Sequence, residues 1–438
     1  MLPRNVLIFG ASGLIGRFLT DDLRSRGFQV TAVARKFVPA QKTSPLDLER
    51  PIMTMDAVAL TQMLCERTID VVVNCLGVLQ DGPGSDTAAV HRDFVQRLLC
   101  AIKASGRAIR LIHISIPGVE KDDLTAFSIT KREADAMIAT SGVRYAILRP
   151  GFVIAPAAFG GSAMVRAFAA TPLALPTAES ARALQPVAVE DIAATASWLA
   201  ARDVDEAAAN SVTWDLMQKQ PVTLGDVIGA FRRSFGTREW PRIRVPASLL
   251  TISVKLADLV GWLGWQSPLR STAMAELGRG VSGDPSAWMS ATGIVPIELN
   301  LAVPRGATIQ EKWFARLYLI KAMVIASLVV FWGVSGFIAL FVSYDAAAGI
   351  LNSHHFPLSL IAPITVLTGL MDMMIGVLIS FRRTCVFGLG WGILASLGYM
   401  LGAAILTPDL WIEPLGALVK TGPAIVLMLV ALATLDSR

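Results

Sequence analysis

Two folds in series are predicted: a doubly wound α/β domain on a parallel sheet, and behind it an all-α bundle of four transmembrane helices. Three observations predict this. The apolar run Asn5–Phe9 leads directly into the glycine series Gly10-Ala-Ser-Gly13-Leu-Ile-Gly16 and then into a segment of helical period. Charge is partitioned: residues 315–438 carry 11 Asp, Glu, Lys or Arg in 124 positions, whereas the 314 positions before them carry 62. Within that back section, long uncharged stretches recur with short polar breaks, the pattern of repeated membrane crossings.

Asn5–Phe9 has the continuous apolar character of a parallel strand buried on both faces. Arg17–Arg26 has helical periodicity and ends at Gly27, and Gln29–Ala34 reads as a second buried strand. Glycines framed in this way form a phosphate cradle. Gly10 permits the tight turn, Gly13 lets the backbone approach a pyrophosphate, and Gly16 lets the helix pack against the strand, while the helix N-terminus offers unpaired N–H groups. Gly10, Ser12, Gly13, Leu14, Ile15 and Gly16 are the candidate dinucleotide contacts. Arg35-Lys36 ends the second strand, where an acid would grip the ribose 2′-hydroxyl of NAD(H) and a cation suits the 2′-phosphate of NADP(H). Two cations and no acid favour NADP(H), with NAD(H) as second choice; the bland alternative is a solvated strand end.

With its G-x-x-G-x-x-G spacing, the sequence resembles the short-chain dehydrogenase/reductase superfamily, in its atypical NmrA-like branch, over about residues 5–200. The further matching motifs are Asp47-Leu48, Asn74-Cys75-Leu76-Gly77 after the apolar Val71–Val73, Leu111–Ser115, and Lys131 in Thr-Lys-Arg-Glu. Leu148-Arg-Pro150-Gly151 and Gln185-Pro-Val with Asp191 continue it. The resemblance implies that Asp47-Leu48 lies beside the adenine and Asn74–Gly77 beside the ribose and nicotinamide. It adds Pro150 and Gly151 to the cofactor contacts, and places Ser115 and Lys131 against both cofactor and reacting carbon. It also exposes a departure. The usual proton donor is a tyrosine four residues before the lysine, and that position is Phe127, which has no proton to give. His91 and His113 read as core or surface residues, and Arg149 as either a structural cap or a neighbour of the substrate.

Residues 1–243 are thus assigned to the nucleotide-binding domain, with about 151–243 as a small substrate lid. Residues 244–314 form a connecting region. In it, Val245–Trp265 is apolar nearly all round but broken by Lys255 and Asp258. That suits a helix lying along a membrane surface or packed between domains, with an ordinary core helix as the alternative.

The transmembrane section, 315–438, has spans near 320–342, 358–380, 385–406 and 414–435. Arg305, Lys312 and Arg316 precede the first, Arg382-Arg383 separate the second and third, and Arg438 follows the fourth, while Asp345, Asp409 and Glu413 lie in the opposite loops. Positive loops stay inside, so both ends and the nucleotide-binding domain are expected in the cytoplasm, at a bacterial inner membrane. The N-terminus passes straight into a strand with no signal-peptide pattern, which agrees. This section resembles the DoxX-like four-helix membrane family, some of whose members are linked to quinone-dependent oxidation. Lys321 in the first span and Asp372 in the second lie at similar depth and are expected to pair, because unpaired intramembrane charge is costly.

Four separated cysteines, with no histidine at ligand spacing, predict reduced thiols and no metal site. Positive charge is spread out without interleaved aromatics, which argues against nucleic acid. The expected function is that of a membrane-anchored NADP(H)-binding reductase of a hydrophobic substrate, a quinone or a lipid. The alternative is a non-catalytic nucleotide-binding scaffold, sensor or accessory subunit of a membrane complex.

Overall fold

The computed structural model describes residues 4–82, 84–203, 206, 210–237, 242–265, 267–412 and 416–435. It divides into two compact units, Met1–Asp258 with Ser267–Ala315, and Leu259–Gln266 with Arg316–Arg438.

The first unit is built on seven strands: β1 (Asn5–Phe9), β2 (Gln29–Ala34), β3 (Asp47–Glu49), β4 (Val71–Asn74), β5 (Arg110–Ile114), β6 (Arg144–Pro150) and β7 (Val212–Leu216). Every neighbouring pair is parallel, and the order across the sheet is β7-β6-β5-β4-β1-β2-β3. Strand order reverses at β1, which lies between β2 and β4. That reversal opens a crevice at the carboxyl ends of the strands, where ligands of doubly wound sheets bind.

Alternate residues of each strand feed two cores. Val6, Ile8, Val71, Val73, Ile112 and Ile114 pack with Leu19 and Leu23 of α1 (Leu14–Ser25) and with Ile192, Ala196 and Leu199 of a helix at Val189–Ala201. Leu7, Phe9, Val72 and Leu111 pack under α2 (Ala57–Glu66), α3 (Phe94–Ala104) and α4 (Ala126–Thr140). Phe9 meets Phe94 edge-on at 5.2 Å between ring centroids. Each such fully buried side chain is worth about 1.5–3 kcal/mol of transfer free energy. Two helix starts are capped as their sequences require: Asp56 accepts from the Ala59 N–H, and Thr125 and Ser128 cap each other's backbone.

The stretch after Ser267 packs back on this unit. Buried Trp288 donates from Nε1 to Thr195 Oγ1 at 2.9 Å, and the Ile297 N–H reaches Asp191 Oδ2 at 3.0 Å. Burial raises the Asp191 carboxyl to about 6. A helix at Ala247–Trp262 precedes this stretch; we label it α5.

Four described helices are long and apolar enough to cross a membrane: α6 (Ile309–Phe337, continued by a π-helical turn to Val342), α7 (Leu358–Ser380), α8 (Cys385–Leu406) and α9 (Ala417–Leu435). The first begins eleven residues before the predicted span at 320, while the predicted start of the fourth, 414, falls outside the described residues. Glycines set the approach of these helices. A Cβ on Gly336 would lie 2.4 Å from the Gly369 carbonyl oxygen, and one on Gly376 would lie 2.8 Å from Gly333 N. Small residues of this kind let backbones meet where no hydrophobic force separates helix from lipid.

One expectation is corrected here. Asp372 does not take Lys321 as its partner; its Oδ1 accepts a hydrogen bond from Tyr399 of α8 at 2.7 Å. The Lys321 ammonium donates to the Thr434 carbonyl, and Arg382 reaches the neighbouring Leu435 carbonyl at 2.9 Å. The physical reason is that the last carbonyls of α9 have no donor inside their own helix, and cations satisfy them.

Candidate nucleotide-binding site

The crevice at the strand reversal is lined by the turn after β1. Gly10 has φ +79°, and a Cβ there would stand 3.0 Å from the Cys75 carbonyl group. A Cβ on Gly16 would lie 2.3 Å from the Gly10 carbonyl oxygen, so helix and turn can pack this closely only without a side chain. The Gly10 and Ala11 N–H groups are spent on the Val33 carbonyl, at 3.0 and 3.2 Å. Gly13 is the N-cap of α1 and no side chain caps the helix. The first-turn N–H groups, beginning at Leu14 and Ile15, are therefore the ones left for an anion.

Arg35 and Lys36 follow β2 directly and are exposed. Neither makes an ion pair or a side-chain hydrogen bond among the described residues. Their heads are free to meet a ligand.

Asp47 is held by partners within the protein. Its carboxylate is buried, pairs with Arg24 at 2.6 Å, and accepts from the Thr43 and Ser44 N–H groups at 2.8 and 2.7 Å. Both oxygens are used in holding the loop before β3. What the pair Asp47-Leu48 has left to offer an adenine is backbone and the Leu48 side chain.

The structure brings Asn74–Gly77, Ser115 and Lys131 together. The Lys131 ammonium, on α4, donates to the Leu76 carbonyl at 3.1 Å and the Ile114 carbonyl at 2.9 Å. A Cβ on Gly77 would stand 3.8 Å from it, so glycine leaves the amine open to whatever lies over the turn. Burial lowers the Lys131 pKa to about 8. Burial likewise pushes the nearby Cys75 thiol up to about 12, against the pull of Lys131, so this cysteine is not a thiolate nucleophile. The Ser115 hydroxyl, just past β5, is buried and has no hydrogen-bond partner among the described residues. A buried hydroxyl left unpaired costs free energy that a bound acceptor or donor would recover.

Two histidines belong to the same cluster. His113 precedes Ser115 by two residues, so both point to one face of the sheet. Asn74 Nδ2 donates to His113 Nδ1 at 3.1 Å, which leaves the proton on the buried Nε2, a group with no partner among the described residues. The Val78 N–H donates to His91 Nε2 at 3.1 Å, so His91 Nδ1–H donates to Thr130 Oγ1 at 2.8 Å, and the Thr130 hydroxyl in turn donates a hydrogen bond to the Ala126 carbonyl. Burial and the charge of Lys131 push His91 down to about 2 and hold His113 well below its usual range. Both imidazoles are neutral. Sequence reasoning placed them in core or surface; the one available signal was the two-residue offset of His113 from Ser115.

Gly151 lies at the end of β6, where a Cβ would fall 2.1 Å from the Gln185 carbonyl oxygen. The adjacent Arg149 is not turned to a ligand: it pairs with Asp135 of α4 at 2.9 Å. The loop after Ser115 is closed by a small ionic network. Arg132 holds Asp123 and the Pro117 and Gly118 carbonyls, and Arg279 reaches Asp123 and the Pro117 carbonyl from the stretch after Ser267.

Residues 10–184 match the family described as NAD(P)H-binding, and residues 329–429 match the DoxX-like family. Among solved structures, the chain is similar to UDP-glucose 4-epimerase of Thermotoga maritima bound to UDP-glucose. That match has 14% identity and TM-score 0.52, covering 73% of this chain and 99% of that one. It is similar also to the enzyme WbmH of Bordetella bronchiseptica in complex with NAD+, with 14% identity and TM-score 0.52, covering 72% and 98%. No curated protein sequence matches it. The chain therefore carries an NAD(P)H-binding domain of Rossmann fold, followed by a DoxX-like region whose described helices are long and apolar enough to cross a membrane.

Proposed function

We propose that the protein binds NADP(H) in the crevice over Gly10–Gly16 and Asn74–Gly77 and reduces a hydrophobic substrate delivered by the membrane, a quinone or a lipid. The observation that carries this reading is the unpaired Ser115 hydroxyl, buried in the same cluster as the Lys131 ammonium. In this reading Lys131 turns from its two backbone carbonyls to ribose hydroxyls, and Ser115 hydrogen-bonds a substrate oxygen. The nicotinamide supplies a hydride when bound; the protein's own residues bind, orient and exclude water. Exposed Arg35 and Lys36 support NADP(H) over NAD(H). The distribution of cations around the spans supports a cytoplasmic nucleotide domain at a bacterial inner membrane.

A second reading is favoured by one observation. Phe127 occupies the place of the usual donor, and its flank is filled by the neutral ring of His91. A non-catalytic nucleotide-binding scaffold, sensor or membrane-complex subunit would keep the cradle without the acid.

The deciding experiment reconstitutes the purified chain in lipid vesicles with a membrane-soluble quinone and follows NADPH absorbance and NADPH binding in parallel. Oxidation that depends on the quinone and is lost in Ser115→Ala supports the reductase. Tight binding without oxidation, across quinone and lipid-carbonyl substrates, supports the scaffold.

A further inference from the structure

The helix α5 buries one face and leaves its other face bare. Leu250 and Gly261 are buried, with Val254, Ala257 and Asp258 partly covered on the same side. Directly opposite, Leu249, Ile252, Leu256, Leu259 and Trp262 are each more than half exposed, Trp262 to 77%. Their spacing of three or four residues draws an apolar stripe along the whole helix.

The C-terminal end of this stripe belongs to the membrane unit and is fastened there. Trp265 Nε1 donates to the Ser380 carbonyl at 2.7 Å, and the Arg382 N–H donates to the Leu263 carbonyl at 3.0 Å. The Arg382 guanidinium also stands over the Trp265 ring, 5.7 Å from its centroid. Ser380 is the last residue of α7, so the chain after Trp262 is tied to the end of that apolar helix. The charges of α5 fit the same surroundings. Lys255 is exposed beside the stripe, whereas Asp258 is turned inward to the Arg270 guanidinium at 3.3 Å and the Ser271 N–H at 3.1 Å.

We infer that α5 lies in the plane of the membrane with Leu249, Ile252, Leu256, Leu259 and Trp262 sunk among the acyl chains and Lys255 at the lipid phosphates. The occupant of the bare face is the bilayer itself. An apolar helical face that continues from a transmembrane unit, ends in tryptophan and is flanked by a cation has the composition of an interfacial helix. Arg270, which ties α5 through Asp258, also donates to the Asp81 carbonyl at 3.2 Å, in the loop that follows Asn74–Gly77. The inference rests on the membrane reading of α6–α9 and not on turnover.

The test uses the full chain in vesicles containing anionic lipid, with the exposed Cys65 and Cys100 replaced by serine. An environment-sensitive fluorophore is attached at Leu256→Cys, or at Val58→Cys on the exposed side of α2 as reference. Lipids carrying a nitroxide near the headgroup are expected to cause a large loss of emission at 256 and none at 58, with NADPH binding unchanged. Equal quenching at the two positions would overturn the inference. So would a blue-shifted emission at 256 that persists in detergent and ignores the nitroxide, which would assign the stripe to a second copy of the chain. An unlabelled Leu256→Glu/Leu259→Glu variant guards against perturbation by the fluorophore. It should raise hydrogen exchange of α5 amides in vesicles, and unchanged exchange would count against lipid seating.

Discussion

The imidazole of His91 meets the ring of Phe127 edge-on, with 5.5 Å between the ring centroids. Phe127 lies one helical turn before Lys131 on α4, so ring and ammonium share a face of the helix. If the site works by the route of its relatives, Phe127→Tyr restores the missing donor. Turnover of NADPH with simple carbonyl compounds is then expected to rise by about 10²–10⁴-fold. Steady-state absorbance at constant cofactor occupancy measures it; an unchanged rate with NADPH still bound favours the scaffold.

Arg35 and Lys36 stand exposed at the end of β2 with no protein partner among the described residues. Charge-assisted contact with a 2′-phosphate is worth about 1.5–3 kcal/mol, at least about tenfold in affinity. Calorimetric titration should find NADPH bound more tightly than NADH by that margin. Arg35→Glu should erase or reverse the order, and equal affinities in the parent protein would refute the assignment.

His91 should make the nucleotide unit sensitive to mild acid. Its folded pKa, about 2, lies below the ordinary 6.5, so between those values the unfolded chain binds the extra proton. Stability is complete above the unfolded value and falls as pH drops beneath it, by about 1 kcal/mol in the first unit of pH. His91→Gln can still accept from Val78 and donate to Thr130, and it should flatten this part of the pH profile. Melting temperatures of the two proteins at mildly acidic and neutral pH provide the comparison; parallel profiles would show that His91 does not titrate on unfolding.

Gly16→Ala drives a methyl into the Gly10 carbonyl, where the neighbour is backbone and cannot swing aside. The strain should cost about 1–3 kcal/mol. It should also open the first turn of α1 enough to abolish NADPH binding. A variant that binds with parental affinity would remove the cradle from the site.

In the membrane unit, coupling should follow the observed partners. Asp372→Asn and Tyr399→Phe share one hydrogen bond and are expected to be non-additive by about 0.5–3 kcal/mol in a double-mutant cycle. Asp372→Asn with Lys321→Met should add. Thermal denaturation in detergent reads both cycles; coupling in the second and not the first would restore the ion pair.

The sheet, its glycines and the four apolar helices were legible because each is written in local sequence: a strand run, a turn that excludes Cβ, a stretch without charge. Side-chain partners were less so. Asp47 meets Arg24 across the space between α1 and β3, and Arg149 meets Asp135 across β6 and α4, pairings that no sequence period encodes. The expected Lys321–Asp372 pair overlooked two competitors, a tyrosine on a third helix and the bare carbonyls of a helix end. The stretch after Ser267 read as a connection, since its anchors, Trp288 and Arg279, are single residues in a polar sequence.

Those bare carbonyls carry a consequence for biogenesis. The cations that cap α9 belong to α6 and to the turn after α7, and Lys321 is separated by 113 residues from the carbonyl it satisfies. A chain that ends before α9 lacks the carbonyls that Lys321 and Arg382 meet in the folded protein, so these two contacts form only once the fourth helix has been made.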